Sequence, residues 1–207
     1  MSEFHGAFIK NADKITARKS IVICGPARGG TSFAASIFVR LGIPFTRGPR
    51  DKISGRHEHL RLKEAFLAND PGGIQRISEE FSSMYPVWGW KLPAIQRRLE
   101  ATAALVPNPH FVMIFKEPLS VAARRSDLKE RDVLKVLPRI VATYHRLAGL
   151  AAETKHPMLL ISYDRAIANM PEFLTEVARF AGVPSFDEGA VIAGIREDGK
   201  RYFRQAQ

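Results

Sequence analysis

Apolar positions along the chain fall into two kinds of pattern. Continuous apolar runs, 20-SIVICG-25, 110-HFVMIFK-116 and 157-PMLLISY-163, read as parallel strands covered on both faces. A weaker run, 86-PVWGWKL-92, reads the same way, and 43-IPFT-46 suggests one more short strand. Between them, apolar residues recur at helical spacing over 31–41, 57–69, 73–83, 94–105, 130–154 and 171–181. Pro138 is expected to kink the longest helix or to shorten its start. The polar segment before Ser20 is expected to be loose, or a short helix packed outside. This alternation predicts an α/β fold of three layers, a mainly parallel central sheet with helices on both faces, as one domain over residues 1–207.

Ligands of such sheets bind beyond the carboxyl ends of the strands. Gly25 to Ser32, Lys91, Lys116 and Asp164 all stand at such ends. The first of these, 25-GPARGGTS-32, nearly fits the phosphate-loop pattern G-x-x-x-x-G-K-[ST]. Gly25, Gly30 and Ser32 match, but Thr31 stands where the lysine belongs, and Arg28 lies inside the loop. Backbone N–H groups in such a turn form an anion nest, and the following helix adds its positive end. Gly29 and Gly30 let phosphate approach, and the Thr31 and Ser32 hydroxyls can donate to it or cap the helix. Arg28 moves the charge into the loop and offers a planar fork.

Composition narrows the ligand. Lys and Arg number 31 against 21 acidic residues, a formal charge of +10, which favours an anionic ligand. The basic residues are spread along the chain with no basic tail or RNA-binding module, so nucleic acid is not an expected partner. One cysteine, Cys24, excludes an internal disulfide, and six scattered histidines give no zinc spacing. No signal peptide and no membrane-spanning run is visible, which predicts a soluble, cytoplasmic protein.

At this point the chain resembles the sulfotransferase superfamily, phosphate-loop enzymes without the lysine. They move a sulfuryl group from 3′-phosphoadenosine 5′-phosphosulfate (PAPS) to a hydroxyl or amine. The family's loop signature, R/K-S-G-T-S/T, reads 28-RGGTS-32 here, with Gly29 for serine. Its arginine-aspartate-proline turn, with a serine eight residues after the arginine, reads 116-KEP-118 with Arg124 at the serine position. The stretch 159-LLISYDRAIANMPEFLTEVARFAGVP-184 resembles its strand–tyrosine–acid and following helices. The segments 55-GRHEHLRLKEAF-66 and 88-WGWKLPAIQRRL-99 resemble stretches of bacterial members.

The resemblance implies PAPS as donor, with Arg28, Gly29, Gly30, Thr31 and Ser32 at its 5′-phosphosulfate, and Lys116 and Arg124 at its 3′-phosphate. It implies a catalytic set of Arg28, Glu58 and Lys91. Glu58, at an expected helix start, is the preferred general base, with His57 and His59 as alternatives; Lys91 would stabilise developing charge. No metal is required, and the acceptor is a small molecule or glycan whose pocket comes mainly from residues 44–88 and the C-terminal segment. A basic C-terminal segment of the family has a weak counterpart in 196-REDGKRYFR-204. Oligomeric state stays open. Two other readings stay open as well. One is an ATP- and magnesium-dependent small-molecule kinase, with Ser32 and Asp164 on the metal. The other is a catalytically silent nucleotide-binding protein.

Overall fold

The computed structural model describes residues 4–45, 53–54, 57–127 and 132–204. Its centre is a five-stranded sheet in the order β1-β7-β6-β2-β5. Strands β2 (Lys19–Cys24), β5 (Val87–Lys91), β6 (Pro109–Phe115) and β7 (Met158–Ser162) run parallel. Strand β1 (Ala7–Lys10) adds an antiparallel edge on β7. A separate ribbon pairs β3 (Ile53–Ser54) with β4 (Glu58–His59).

Strand alternation divides the interior in two. Ile21 and Ile23 point to one face and pack with Val112, Ile114, Leu159 and Ile161. That face is covered by α1 (Thr31–Arg40), α8 (Met170–Ala181) and α9 (Glu188–Arg204). Val22 and Cys24 point the other way, among Phe111, Met113, Trp88 and Trp90. There α2 (Leu60–Leu67), α3 (Pro71–Met84), α4 (Leu99–Ala103) and part of α6 (Val133–Glu153) close the layer. Each fully buried aliphatic side chain contributes about 1.5–3 kcal/mol. Two-sided burial is why these strands read as unbroken apolar runs. It also pushes the Cys24 thiol up to about 12, so Cys24 is packing and not a nucleophile.

Several expectations need correction. The segment before Ser20 is neither loose nor purely helical: it supplies β1 and a 3-10 turn at Ala12–Lys14. Residues 43–45 form no strand, and Thr46 lies outside the described residues. The helix expected over 57–69 begins only at Leu60, because Glu58 and His59 are taken into β4 and the His59 ring caps the helix. The stretch 94–105 is a 3-10 segment, Pro93–Arg98, followed by α4. Helix α6 runs through Pro138, and Asp132 sets its start by accepting from Leu134 N at 2.9 Å. Two short helices follow strand ends: α5 (Pro118–Asp127) after β6 and α7 (Tyr163–Ala168) after β7.

Candidate active site

Beyond the carboxyl ends of β2, β5, β6 and β7 lies a cavity of about 350 Å³. The loop 25–30 forms its floor and ends in α1. A turn closes from Gly29 N to Pro26 O at 2.9 Å, with Arg28 in the left-handed region at φ 69°. An arginine rarely adopts that conformation, and holding it there costs about 1–2 kcal/mol. The turn also explains Gly29: a Cβ there would lie 2.7 Å from Pro26 Cγ and 2.9 Å from Pro26 O. Gly30, at φ 99°, leaves room for the Tyr163 ring, which a Cβ would meet at 2.9 Å. The loop is thus shaped by a proline and a tyrosine as much as by its glycines.

Opposite the loop, β5 delivers Lys91, only 1% exposed. Its Nζ lies 3.0 Å from Glu58 Oε1, and Lys63 Nζ holds Glu58 Oε2 at 2.8 Å. Burial by itself raises the Glu58 carboxyl, but the two lysines outweigh it and hold it below the usual range. Glu58 is therefore a well-held anion at neutral pH. His59 is not available as a base, since its Nδ1 accepts from Leu62 N at 3.2 Å. His57 is pushed below the ordinary histidine range by burial, with Lys91 and Arg40 adding and Asp198 opposing.

A second cationic station stands at the ends of β6 and β7. Lys116 Nζ lies 4.3 Å above the Tyr163 ring, and Arg124 of α5 lines the same cavity. Burial and the Arg124 charge lower Lys116, while Asp164 and Glu117 oppose them. Glu117 caps α5, accepting from Leu119 N and Ser120 N at 2.6 Å each. Asp164 accepts from Glu117 N at 3.3 Å.

The remaining wall comes from α9. Ile195, Asp198 and Gly199 face the cavity beside Ser36 of α1. Asp198 accepts from Ser36 Oγ at 2.5 Å and from Arg40 at 3.1 Å. Burial raises its carboxyl, but these two partners outweigh that and leave it lowered.

The structure brings Arg28, Gly30, Thr31, Ser32, Glu58, Lys91, Lys116 and Arg124 to one cavity; Gly29 shapes the loop without lining the wall. Arg124 faces the cavity rather than serving only as an exposed helix face. Glu58 sits on a strand, not at a helix start. Sequence reasoning missed Phe33, Ser36, Tyr163, Ile195 and Asp198 as lining residues. Ser36 could have been found one helical turn after Ser32; Asp198 carries no motif, and the C-terminal segment expected to be basic there presents an acid. Of the expected acceptor segment, residues 46–52, 55 and 56 lie outside the described residues. Among the described residues no group of three or more histidine, cysteine or carboxylate side chains could hold a metal, and no helix is long and apolar enough to cross a membrane.

No protein-family model matches the sequence, and no curated protein matches it. Solved structures do. The sulfotransferase domain from the curacin biosynthetic pathway aligns at TM-score 0.56 and 15% identity, over 84% of this chain and 76% of that one. The sulfotransferase domain of the Synechococcus PCC 7002 olefin synthase aligns at 0.54 and 17%, over 86% and 76%. A sulfotransferase from Mycobacterium tuberculosis aligns at 0.51 and 14%, over 89% and 72%. Small-molecule kinases also occur among the matches, at TM-scores of 0.47 and 0.43. Identities this low speak to architecture alone. A mainly parallel five-stranded sheet ending in a lysine-free phosphate loop, aligned with three sulfotransferases along most of its length, gives this chain the sulfotransferase fold.

Proposed function

We propose that this protein is a cytoplasmic sulfotransferase that moves a sulfuryl group from PAPS to a hydroxyl or amine of a small-molecule or glycan acceptor, releasing 3′,5′-adenosine bisphosphate (PAP). The observation that carries this reading is the presence of two cationic stations on one cavity. The loop with Arg28, and Lys91 facing it, suits the 5′-phosphosulfate. Lys116 with Arg124 suits a second phosphate, which PAPS has at its 3′ position and ATP lacks.

The donor supplies an activated sulfuryl group, and the protein's part is to hold and polarise it. Loop amides and Arg28 neutralise the phosphate oxygens. On this reading Lys91, which lines the cavity, would take up charge that develops on the oxygen bridging sulfur and phosphorus. The acceptor oxygen or nitrogen bonds to sulfur as that bridging bond breaks, and PAP leaves with the electron pair. The acceptor proton passes to Glu58. As Lys91 turns from Glu58 toward the departing oxygen, the carboxylate loses one of its two cations and becomes a better base. Neutral His57, close to Asp198, is the other candidate for this proton.

The kinase reading is less well supported. Asp164, its magnesium candidate, is engaged by Glu117 N. Both acids facing the cavity, Glu58 and Asp198, are already paired with cations. The test is a thermal-shift titration with PAP, ADP and ATP, each with and without magnesium. A shift with PAP that ignores magnesium is expected, followed by turnover of PAPS in an acceptor screen. A shift with ATP and magnesium alone overturns the reading in favour of a kinase. Binding of PAP with no turnover for any acceptor favours the silent binding protein.

A further inference from the structure

Gln96 lies in the same segment as Lys91, 88-WGWKLPAIQRRL-99, but has no role assigned to it there. It sits in the 3-10 segment after β5, is only 7% exposed, and lies beneath the phosphate loop. Its Nε2 donates to the carbonyl of Gly25 at 3.3 Å. Its Oε1 is buried with no hydrogen-bond partner among the described residues. The orientation of the amide is dictated by this contact, since the reverse would set two acceptor oxygens against each other. A buried polar oxygen left unpartnered is unfavourable, so the side chain is held in place at a cost.

The location explains what that contact can do. Gly25 is the hinge where β2 leaves the sheet, at φ 151°. Two residues earlier the sheet still controls the chain, because Leu92 N donates to Ile23 O at 3.1 Å. The Gln96 amide carries this cross-link past the end of the sheet. The peptides that follow, up to Gly30, carry the N–H groups proposed for the anion nest; Pro26 has none, and Gly29 N is already taken by Pro26 O. If the Gly25 carbonyl turns, those N–H groups turn with it.

We propose that Gln96 is a positioning residue for the anion-binding loop: it fixes the Gly25 carbonyl and so locks the nest to the segment that carries Lys91. The loop and Lys91 then approach an anion as one rigid body. This goes beyond the sulfotransferase reading, on which it leans only in the choice of PAP as one probe.

The test compares wild type with Gln96→Leu and Gln96→Glu. Binding of PAP and, in parallel, of inorganic pyrophosphate is measured by calorimetry, beside the melting point of each ligand-free protein. In Gln96→Leu both affinities are expected to fall about tenfold while the ligand-free melting point stays within about 3 °C. Gln96→Glu separates positioning from packing. At pH 8 its carboxylate faces the Gly25 carbonyl and binding is weak; at pH 5.5 the protonated carboxyl can donate, and affinity relative to wild type recovers. Unchanged affinity in Gln96→Leu overturns the proposal. So does an affinity loss that tracks an equal loss of ligand-free stability and shows no recovery in Gln96→Glu. If wild type binds pyrophosphate but not PAP, the sulfotransferase reading fails while the Gln96 proposal is decided on pyrophosphate. If wild type binds neither, the loop is no anion site and both are overturned.

Discussion

Lys91 and Glu58 form a buried ion pair at 3.0 Å, with the lysine 1% exposed and the glutamate side chain 15%. Two elements far apart in sequence, β5 and β4, are joined by it. Breaking a buried pair from one side leaves a stranded charge and costs about 3–5 kcal/mol, whereas removing both partners costs much less. Glu58→Gln should therefore lower the urea midpoint strongly, and Glu58→Gln with Lys91→Met should recover most of the loss. Both proteins should lack turnover. A double-mutant cycle that sums without coupling would show that the pair does not hold the site together.

Arg28 occupies a left-handed position that glycine fills without strain. Arg28→Gly is expected to leave the ligand-free protein as stable or up to about 1 kcal/mol more stable, while PAP affinity falls at least tenfold. Arg28→Ala keeps the strain and loses the charge, so it should bind as poorly without the gain. Denaturant melts beside calorimetry distinguish the two.

The Pro26 ring excludes a side chain at position 29. Gly29→Ser, which restores the residue usual in the resembling family, should destabilise the protein by about 1–3 kcal/mol. Pro26→Ala combined with Gly29→Ser should relieve part of that, since the Pro26 carbonyl remains close. Equal melting points for Gly29→Ser and wild type would contradict the turn geometry.

Under the proposed function, Lys116 and Arg124 hold the 3′-phosphate. Arg124→Ala should weaken PAP binding by about ten- to a hundredfold and leave adenosine 5′-phosphosulfate, which lacks that phosphate, nearly unaffected. Lys116→Arg should retain PAP binding. Equal losses for both nucleotides would place the pair elsewhere on the ligand.

His110 sits at the opposite end of the sheet, 2% exposed, where Thr16 N donates to its Nε2 at 3.3 Å. Burial, assisted by the nearby charge of Lys19, brings its pKa down from 6.5 to about 4. The folded protein thus binds this proton less readily than the unfolded chain. The associated stability, on the order of 3 kcal/mol, is fully present above pH 6.5 and is lost as pH falls toward 4. Wild type should lose stability through that window more steeply than His110→Gln. Parallel pH profiles would exclude the effect.

The strands were legible because each is buried on both faces, as Ile21 to Cys24 illustrate with full burial of four successive residues. Strand β1 was not, since it is four residues long, half exposed, and paired with β7 some 150 positions away. Glu58 and His59 share the helical spacing of the residues after them, and only pairing with β3 takes them out of the helix. The same contrast holds in the cavity. Residues at strand ends could be located from the pattern that places ligands there. Asp198 could not, because nothing local distinguishes it from any other acid on a helix; its position follows from the packing of α9 on α1.

The cavity draws its walls from Ala27 at one extreme to Gly199 at the other. No contiguous fragment carries the whole wall: Lys116 and Arg124 are near in sequence, but the loop, Glu58, Lys91 and Asp198 meet only on folding. Loop-closure entropy must be overcome before any ligand contact is gained. If the cavity holds a nucleotide as proposed, its binding is for this reason coupled to the global folding equilibrium. A substitution far from the cavity that populates the unfolded chain will weaken apparent affinity, and a saturating nucleotide will rescue it by mass action.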